Sequence, residues 1–455
     1  MTGRVIVVGG GLAGVSAALR LAEQGREVTV FEARPRLGGA TYSFPRGELT
    51  VDTGQHVLLR CYGHHLALLK SIGADHLVRF QPQLDIPVLQ PTGGRPARIR
   101  RSAQLPAPLH LVRALAGYRA LSPRERFAAA SAAAALGRVD PDDPATDLIP
   151  FGDWLRAHGQ GARAVDRLWR LVVVAALNIA PDEASLALAA RVVRSGLLEH
   201  AASGDIGVPT VPLTSLHDEP ARAAFARRGI RLHSGHRVRA IEDAGAGVIV
   251  RTDGGDAEAD AVVVAVPHAQ AARLVPEGAA PERAGWSALG DSPIVNVHVL
   301  YDRPVTRLPF AAALDSPVQW IFDRTEAAGA GRGQYLVSSI SAADRWIALP
   351  ADRIREEQLR ALAQLLPAAR TARVLDAFVT REPRATFRQR AGSARLRPGA
   401  RTRWPSVVLA GAWTATGWPD TMEGAVRSGL AAATELLAQP APHGSERKDV
   451  MTWTR

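Results

Sequence analysis

The chain is nearly without lysine and cysteine, and it has no long apolar run. Its single cysteine, Cys61, excludes an internal disulfide framework and any four-cysteine zinc site; this fits a reducing compartment, and no metal site is expected. No uncharged apolar stretch reaches the length of about 18 residues that a membrane-spanning helix needs. The opening MTGRVIVVGGGLAG has one basic residue and a short apolar run, as a secretion signal would, but glycines interrupt it and are better explained otherwise. Lysine occurs only at Lys70 and Lys448, so arginine carries almost all of the formal charge of +11. Such a surface favours nucleic acid or anionic lipid, and it also follows from the compositional bias that makes the chain alanine-rich. No helix-turn-helix, zinc finger or aromatic RNA-binding motif accompanies the arginines, which sets nucleic acid aside. With 47% hydrophobic residues a sizeable core can be buried, and a length of 455 residues admits about three domains or one large bilobal unit.

What is present begins at the N-terminus. Arg4–Val8 is a β-branched run ending in Gly9, Gly10 and Gly11; Leu12–Gln24 reads as a helix with small residues, Gly25 closes it, and EVTVFEA (27–33) alternates as a second strand. This is a βαβ unit with Gly9, Gly11 and Gly14 in GxGxxG spacing at the strand-to-helix turn. The glycines let the backbone approach a pyrophosphate at the positive end of the helix dipole. Glu32 ends the second strand at the spacing where a carboxylate accepts from a ribose hydroxyl. A dinucleotide site is therefore expected, and ARPRLGG (33–39), with two arginines and paired glycines, reads as part of it.

Leu49–Thr53 looks like another strand, followed by GQHVLLRCY (54–62). Residues 103–136 place Leu109, Val112, Leu115 and Leu121 among Arg113, Arg119, Arg124 and Arg126. That basic amphipathic pattern either covers the protein's own core or dips into a membrane interface. After a Pro/Asp-rich linker (140–147) and more helical sequence, residues 229–243 and 247–267 read as strands returning to the nucleotide unit. Residues 292–305 and 317–324 read as strands of a different sheet, and 352–366 as a helix. The last element is a short strand, Val407–Leu409, that stops at Gly411; Met422 then opens a helix carrying Gly424, Ala425 and Gly429. A parallel sheet built from distant segments brings Gly9–Gly14 and Gly411–Gly424 to one crevice. The second turn would hold the far half of an extended dinucleotide, which means FAD rather than NAD. The fold class is thus α/β: a discontinuous Rossmann-like FAD-binding domain (1–95, 205–270 and 400–437), a substrate-binding domain of mixed sheet and helices (96–204 and 271–399), and a disordered tail (438–455).

The blocks VVGGGLAG, VFEARPRLGG and LAGAWTATGWPDTMEGAVRSG resemble the flavin-containing amine oxidase and phytoene desaturase superfamily over essentially the whole chain. Together with GQHVLLRCY, NVHVLYDRP and QWIFDRT they are similar to the squalene-associated FAD-dependent desaturase group, the hydroxysqualene dehydroxylases of bacterial hopanoid biosynthesis. The resemblance implies FAD, with Gly9, Gly11 and Gly14 at the diphosphate and Glu32 at the ribose; it is expected to be non-covalent, because Cys61 precedes no recognised attachment motif. It implies that Arg36, Gly38 and Gly39 wrap the cofactor, that Val238 meets adenine through its backbone, and that Gly411 and Met422 face the ribityl chain and flavin. Two positions depart from the pattern: Ala40 stands where many amine oxidases have a second arginine, and Ala412 where many relatives have an acid for the polyol.

Amine oxidation is disfavoured, because Asn296 stands where amine oxidases usually carry a lysine and Thr421 where their aromatic cage has a tyrosine. Polyprenoid desaturation is the closest rival, and a prenyl-binding escort without FAD is disfavoured by the intact glycine loop. The leading expectation is reductive removal of the hydroxyl of hydroxysqualene to give squalene, which requires an acid for the departing hydroxide. The candidates are His56, Asp420 and Glu423, with Arg60 and Tyr62 able to orient a water or anion; His298 and Asp302 are expected to be solvated. The implied partners are a C30 polyprenoid, an electron donor and other squalene-pathway enzymes. The implied location is the cytoplasm, with peripheral contact on the inner face of the cytoplasmic membrane.

Overall fold

The first strand, Arg4–Val8, sends Val5 and Val7 to one side and Ile6 and Val8 to the other, and all four side chains are buried. A strand apolar on both faces needs cover on both, the usual state of a parallel sheet between layers. The computed structural model, which describes residues 3–91 and 97–439, shows that arrangement. Five parallel strands run in the order 231–234, 27–32, 4–8, 261–264 and 407–409. Val5 and Val7 pack under the N-terminal helix Leu12–Glu23 and the C-terminal helix Met422–Leu437. On the other face Ile6 and Val8 pack with Val248 and Val250 of a three-stranded antiparallel sheet and with Trp286.

The two helices cross at small residues. A Cβ placed on Gly429 would lie 2.0 Å from the Ala13 carbonyl oxygen and 2.1 Å from Ser16 Oγ. Ser16 Oγ donates to the Ala13 carbonyl (3.0 Å) and across the interface to the Val426 carbonyl (3.2 Å). One hydroxyl thereby ties together residues 410 positions apart in sequence.

A second sheet of seven strands runs in the order 374–387, 291–301, 334–340, 320–323, 310–313, 85–89 and 97–100, with helix Ala351–Leu365 on one face. Asp85–Leu89, grouped with the nucleotide unit on sequence grounds, belongs to this sheet. Val88 pairs with Ala312 and is buried beside Tyr118 and Leu121, so the chain leaves the nucleotide unit earlier than residue 95. Helices between 123 and 193 form a separate helical core around Phe151, Trp169 and Leu186.

The basic segment 103–136 is not one helix. A short turn, Leu109–Leu111, leads into helix Val112–Ala116, and a second helix, Pro123–Leu136, starts at a Ser122–Glu125 capping box with proline at its first position. Ala129, Ala132 and Leu136 enter the core, whereas Leu109, Val112 and Phe127 are exposed. Among the described residues no helix is long and apolar enough to cross a membrane. Positions 440–455, most of the expected tail, lie outside the described residues.

Gly429→Ala should destabilise the fold by about 1–3 kcal/mol, because the new methyl would overlap the Ala13 main chain and the Ser16 hydroxyl that bonds across the crossing. Gly285→Ala, whose methyl meets nothing within 4 Å, should shift urea midpoints little. Equal midpoints for both variants would show that the helix crossing tolerates expansion.

Candidate active site

The N-terminal turn uses its three glycines for different reasons. Gly9 has φ +108° and would place a Cβ 2.4 Å from the Ala265 carbonyl oxygen; a Cβ on Gly14 would meet the Gly9 carbonyl oxygen at 1.8 Å. The protein's own backbone therefore requires both. Gly11 is different: its Cβ would meet only Gly39 Cα, at 3.8 Å. Among the described residues nothing else meets that Cβ, which leaves this side of the turn open to the close approach of a ligand. This is the fit that a diphosphate requires at a helix N-terminus.

The rest of this end is gathered around that turn. Glu32 Oε2 accepts from Gly10 N (2.6 Å) and Oε1 from Arg34 N (2.8 Å), which fixes the carboxylate and leaves acceptor capacity for a hydroxyl. Gly38 bridges Gly11, and a Cβ on Gly39 would lie 3.0 Å from Gly11 Cα, so the loop lies directly on the turn. Arg36 donates to the Gly39 carbonyl (3.0 Å) with its guanidinium carbon 3.3 Å from the centre of the Tyr42 ring. Burial first, then Arg34, lowers its pKa. His236 N donates to the Glu32 carbonyl, which docks the segment leading into buried Val238 against the same strand.

At the second turn Gly411 (φ +138°) donates its N–H to Ser428 Oγ (2.8 Å), and a Cβ would collide with Trp413 Nε1 at 2.4 Å. Thr421 caps the C-terminal helix, its Oγ1 accepting from Gly424 N (3.1 Å), so the residue at the tyrosine-cage position serves the backbone. Buried Arg397, which no motif in the sequence signalled, gathers the carbonyls of Ala412, Trp413, Thr414 and Trp418; burial lowers its pKa to about 10. Glu423 is fully buried and fully used. Its carboxylate accepts from His64 N (3.3 Å), His65 N (2.8 Å), His64 Nδ1 (2.9 Å) and Arg427 Nε (2.7 Å), clasping the N-terminus of helix Gly63–Ile72 to the C-terminal helix.

The acid candidates separate by environment. Half-buried Asp420 accepts from Phe387 N through Oδ2 (2.8 Å), and its own N–H donates to Gln389 (2.9 Å). Burial raises its pKa to about 6 against the opposing pull of that N–H and of Arg397. His56 Nδ1 lies 3.2 Å from the Gly54 carbonyl, beside the buried Asp52–Arg324 ion pair, and burial lowers its pKa. Arg60 faces outward, 3.6 Å from Asp205 and stacked on Phe80, on the rim of a cavity of about 360 Å³ shared with Trp418 and Arg427. Half-buried Tyr62 has its pKa raised by burial and makes no side-chain hydrogen bond among the described residues. A pair that sequence reasoning missed, His65 and His217, meets Nε2 to Nε2 at 3.2 Å; burial drives His65 to about 3 and His217 well below its usual range, so both are neutral.

One expectation changes and one holds in part. His298 is buried rather than solvated, bonded to Tyr335 Oη (2.7 Å) and Thr380 Oγ1 (2.9 Å) and stacked on Phe378. Asp302 is half-buried and accepts from Arg373 N (3.0 Å). Asn296 is also buried; its Nδ2 donates to the Thr53 carbonyl (3.0 Å), and its Oδ1 has no partner among the described residues.

The profile of the flavin containing amine oxidoreductases matches residues 12–437. The chain belongs to that family. Within it, the chain is 33% identical to hydroxysqualene dehydroxylase of Rhodopseudomonas palustris, over 96% of this chain and 99% of the relative. It is 31% identical to the Sinorhizobium fredii protein of the same name, with the same coverage. Zeta-carotene desaturase of Arabidopsis thaliana is 26% identical over 95% of this chain and 85% of the relative. Among solved structures, an oxidoreductase from Methanosarcina mazei superposes with a TM-score of 0.74 at 17% identity, over 95% of this chain and all of that one. Putrescine oxidase bound to putrescine gives 0.72 at 19%, over 96% of this chain and 100% of that one. At those identities the structures establish the shared fold. As a member of this family the chain is an FAD-dependent oxidoreductase.

Its cysteine is a poor site for covalent attachment of a flavin, since burial pushes the Cys61 thiol up to about 12 and holds it protonated. Acid precipitation should therefore leave all the flavin of the purified protein in the supernatant. Gly11→Val should contain none, while the melting temperature of its flavin-free form stays close to that of wild-type apoprotein. Flavin retained by Gly11→Val would place the diphosphate elsewhere.

Proposed function

We propose that this enzyme reductively removes the hydroxyl of hydroxysqualene, giving squalene and water. The observation that carries the reading is the 33% identity to a hydroxysqualene dehydroxylase along almost the full length of both chains. Asn296 supports it, because a neutral amide occupies the position of the amine oxidases' lysine. Desaturation of a polyprenoid is the second reading, favoured by the 26% likeness to zeta-carotene desaturases.

In its reduced form FAD supplies the hydride. Gly9, Gly11 and Gly14 would hold its diphosphate, Glu32 a ribose hydroxyl, Arg36, Gly38 and Gly39 the wrapping loop, and Val238 the adenine edge; Gly411 and Met422 would hold the flavin end. The residues must then deliver a proton to the departing hydroxide. His56, lowered by burial, is an uncharged imidazole at neutral pH, whereas Asp420, raised to about 6, keeps a protonated fraction there. Asp420 is the acid in this reading, and His56 is a neutral hydrogen-bonding group. Each turnover consumes two electrons and so needs an external donor. The substrate is nearly insoluble in water, and contact of residues 105–136 with a membrane would spare it an aqueous step.

Anaerobic incubation of dithionite-reduced enzyme with hydroxysqualene should yield squalene, and oxidised enzyme should yield none. Turnover of hydrocarbon polyprenoids by oxidised enzyme, with hydroxysqualene untouched, would replace this reading with desaturation.

Asp420→Asn keeps the acceptor for Phe387 N and should lower turnover by about 10²-fold or more at unchanged flavin content. His56→Ala should lose much less. Wild-type turnover should fall as pH rises through about 6, because the acid form of Asp420 is lost there. A His56→Ala loss of that size with active Asp420→Asn would exchange the two roles.

A further inference from the structure

Beyond strand Ala97–Arg100 the chain turns back on itself, and Ser102 N donates to the His110 carbonyl at 2.7 Å. This loop, with Gln83, Arg100, Arg101, Gln104 and Arg113, encloses a surface concavity of about 340 Å³. Its arginines are only partly neutralised. Arg101 is buried and holds Asp205 through Nε (2.7 Å) and Nη2 (2.9 Å), but Asp205 also serves Arg60 at 3.6 Å. Arg100 lies 3.7 Å from Asp85, which Arg98 already engages at 2.7 Å. Two carboxylates are thus shared among four arginines, and exposed Arg113 has no carboxylate partner among the described residues. A concavity edged by guanidinium groups in excess of carboxylates suits an anion with several oxygens, above all a phosphate, which planar N–H forks bind in pairs.

The surroundings say which phosphate. Leu109 is 54% exposed and Val112 56%, one turn apart and immediately before Arg113. Helix Val112–Ala116 packs against both strand Ala97–Arg100 and helix Pro123–Leu136, which carries Phe127 at 79% exposure. These are three of the six large apolar side chains exposed among the described residues, and all three lie in the stretch 109–127 that also supplies Arg113 to the concavity. A soluble phosphate compound would leave them in water; a lipid surface covers them and offers the phosphate at the same depth.

We propose that this concavity binds the phosphate of an anionic phospholipid headgroup while Leu109, Val112 and Phe127 enter the adjoining membrane interface. The inference concerns where the enzyme sits and holds whichever polyprenoid it acts on.

The test is co-sedimentation of the FAD-loaded full chain with vesicles of phosphatidylcholine, with and without phosphatidylglycerol. Binding should require phosphatidylglycerol, and Arg113→Gln should weaken it about fivefold. Arg332→Gln, an exposed arginine on another part of the surface, should leave it unchanged. Leu109→Ser and Val112→Ser touch no core and should also weaken it, at high salt as well as low. Equal losses in Arg113→Gln and Arg332→Gln would reduce the effect to diffuse charge attraction and overturn the site. Stabilisation by millimolar inorganic phosphate, with no sensitivity to the two serine variants, would make it a site for a free anion instead. Absence of vesicle binding would end the proposal and leave the dehydroxylase reading standing.

Discussion

Everything in this molecule that handles a dinucleotide depends on one crossing of two helices. The N-terminal helix presents Ala13 and Ser16, the C-terminal helix presents Gly429, and the backbones meet with no room for a methyl group. The approach aligns two helix N-termini, one at Gly11 and one at Thr421, at the same edge of the parallel sheet. Each N-terminus offers unpaired N–H groups and the positive end of a dipole. A ligand with negative charge or electron density at two separated points is the natural occupant. The Glu423 clasp extends the arrangement, since it ties a third helix to the first turn of the C-terminal helix through His64 and His65. Moving the crossing by the width of a side chain would shift all three together.

How much of this could be read in the sequence follows from the range of the interactions. The GxGxxG turn was legible because each of its glycines answers a demand within a few residues: a positive φ at Gly9, the Gly9 carbonyl against Gly14, an open approach at Gly11. The second turn was legible for the same reason, with Gly411 and Gly424 both placed against their own loop. The parallel sheet was expected from the βαβ order of strand, glycine turn and helix, and from the late strand–turn–helix at Val407. Arg397 was not legible, because its partners are main-chain carbonyls, which carry no sequence signature. Nor was the pairing of His65 with His217, 152 residues apart on helices whose approach only the fold decides. Asp85–Leu89 was grouped with the nucleotide unit by its place in the chain, because its partner at Ala312 lies far down the sequence.

His298 shows the same limit in a single residue. On sequence its strand, 291–301, alternates between apolar and polar positions, which suggests one wet face. Both faces are in fact covered: Val295, Val297 and Val299 meet helix Ala351–Leu365, while Asn296 and His298 turn to a polar layer with Thr53, Tyr335 and Thr380. Polar residues inside are tolerated because most of their atoms find partners. Asn296 Oδ1 is the exception on this strand, a buried acceptor without a donor beside the carbonyl of Thr53.

Burial also decides which side chain can carry a proton into an apolar site. Low-polarity surroundings favour the neutral form of any titratable group, and the consequence differs by chemistry. For a histidine the neutral form has already given up its proton, and His56, His65, His217 and His298 are all driven that way. For a carboxyl the neutral form is the one that holds a proton, and burial raises Asp420 to about 6. Tyr62 also keeps its proton, but its raised pKa makes the proton harder to give. A water-poor apolar site therefore silences imidazolium acids and favours a carboxylic acid. The groups around this crevice divide along that line: His217 beside Gly38 and its partner His65 are neutral imidazoles, and Asp420 before the C-terminal helix keeps a protonated fraction at neutral pH.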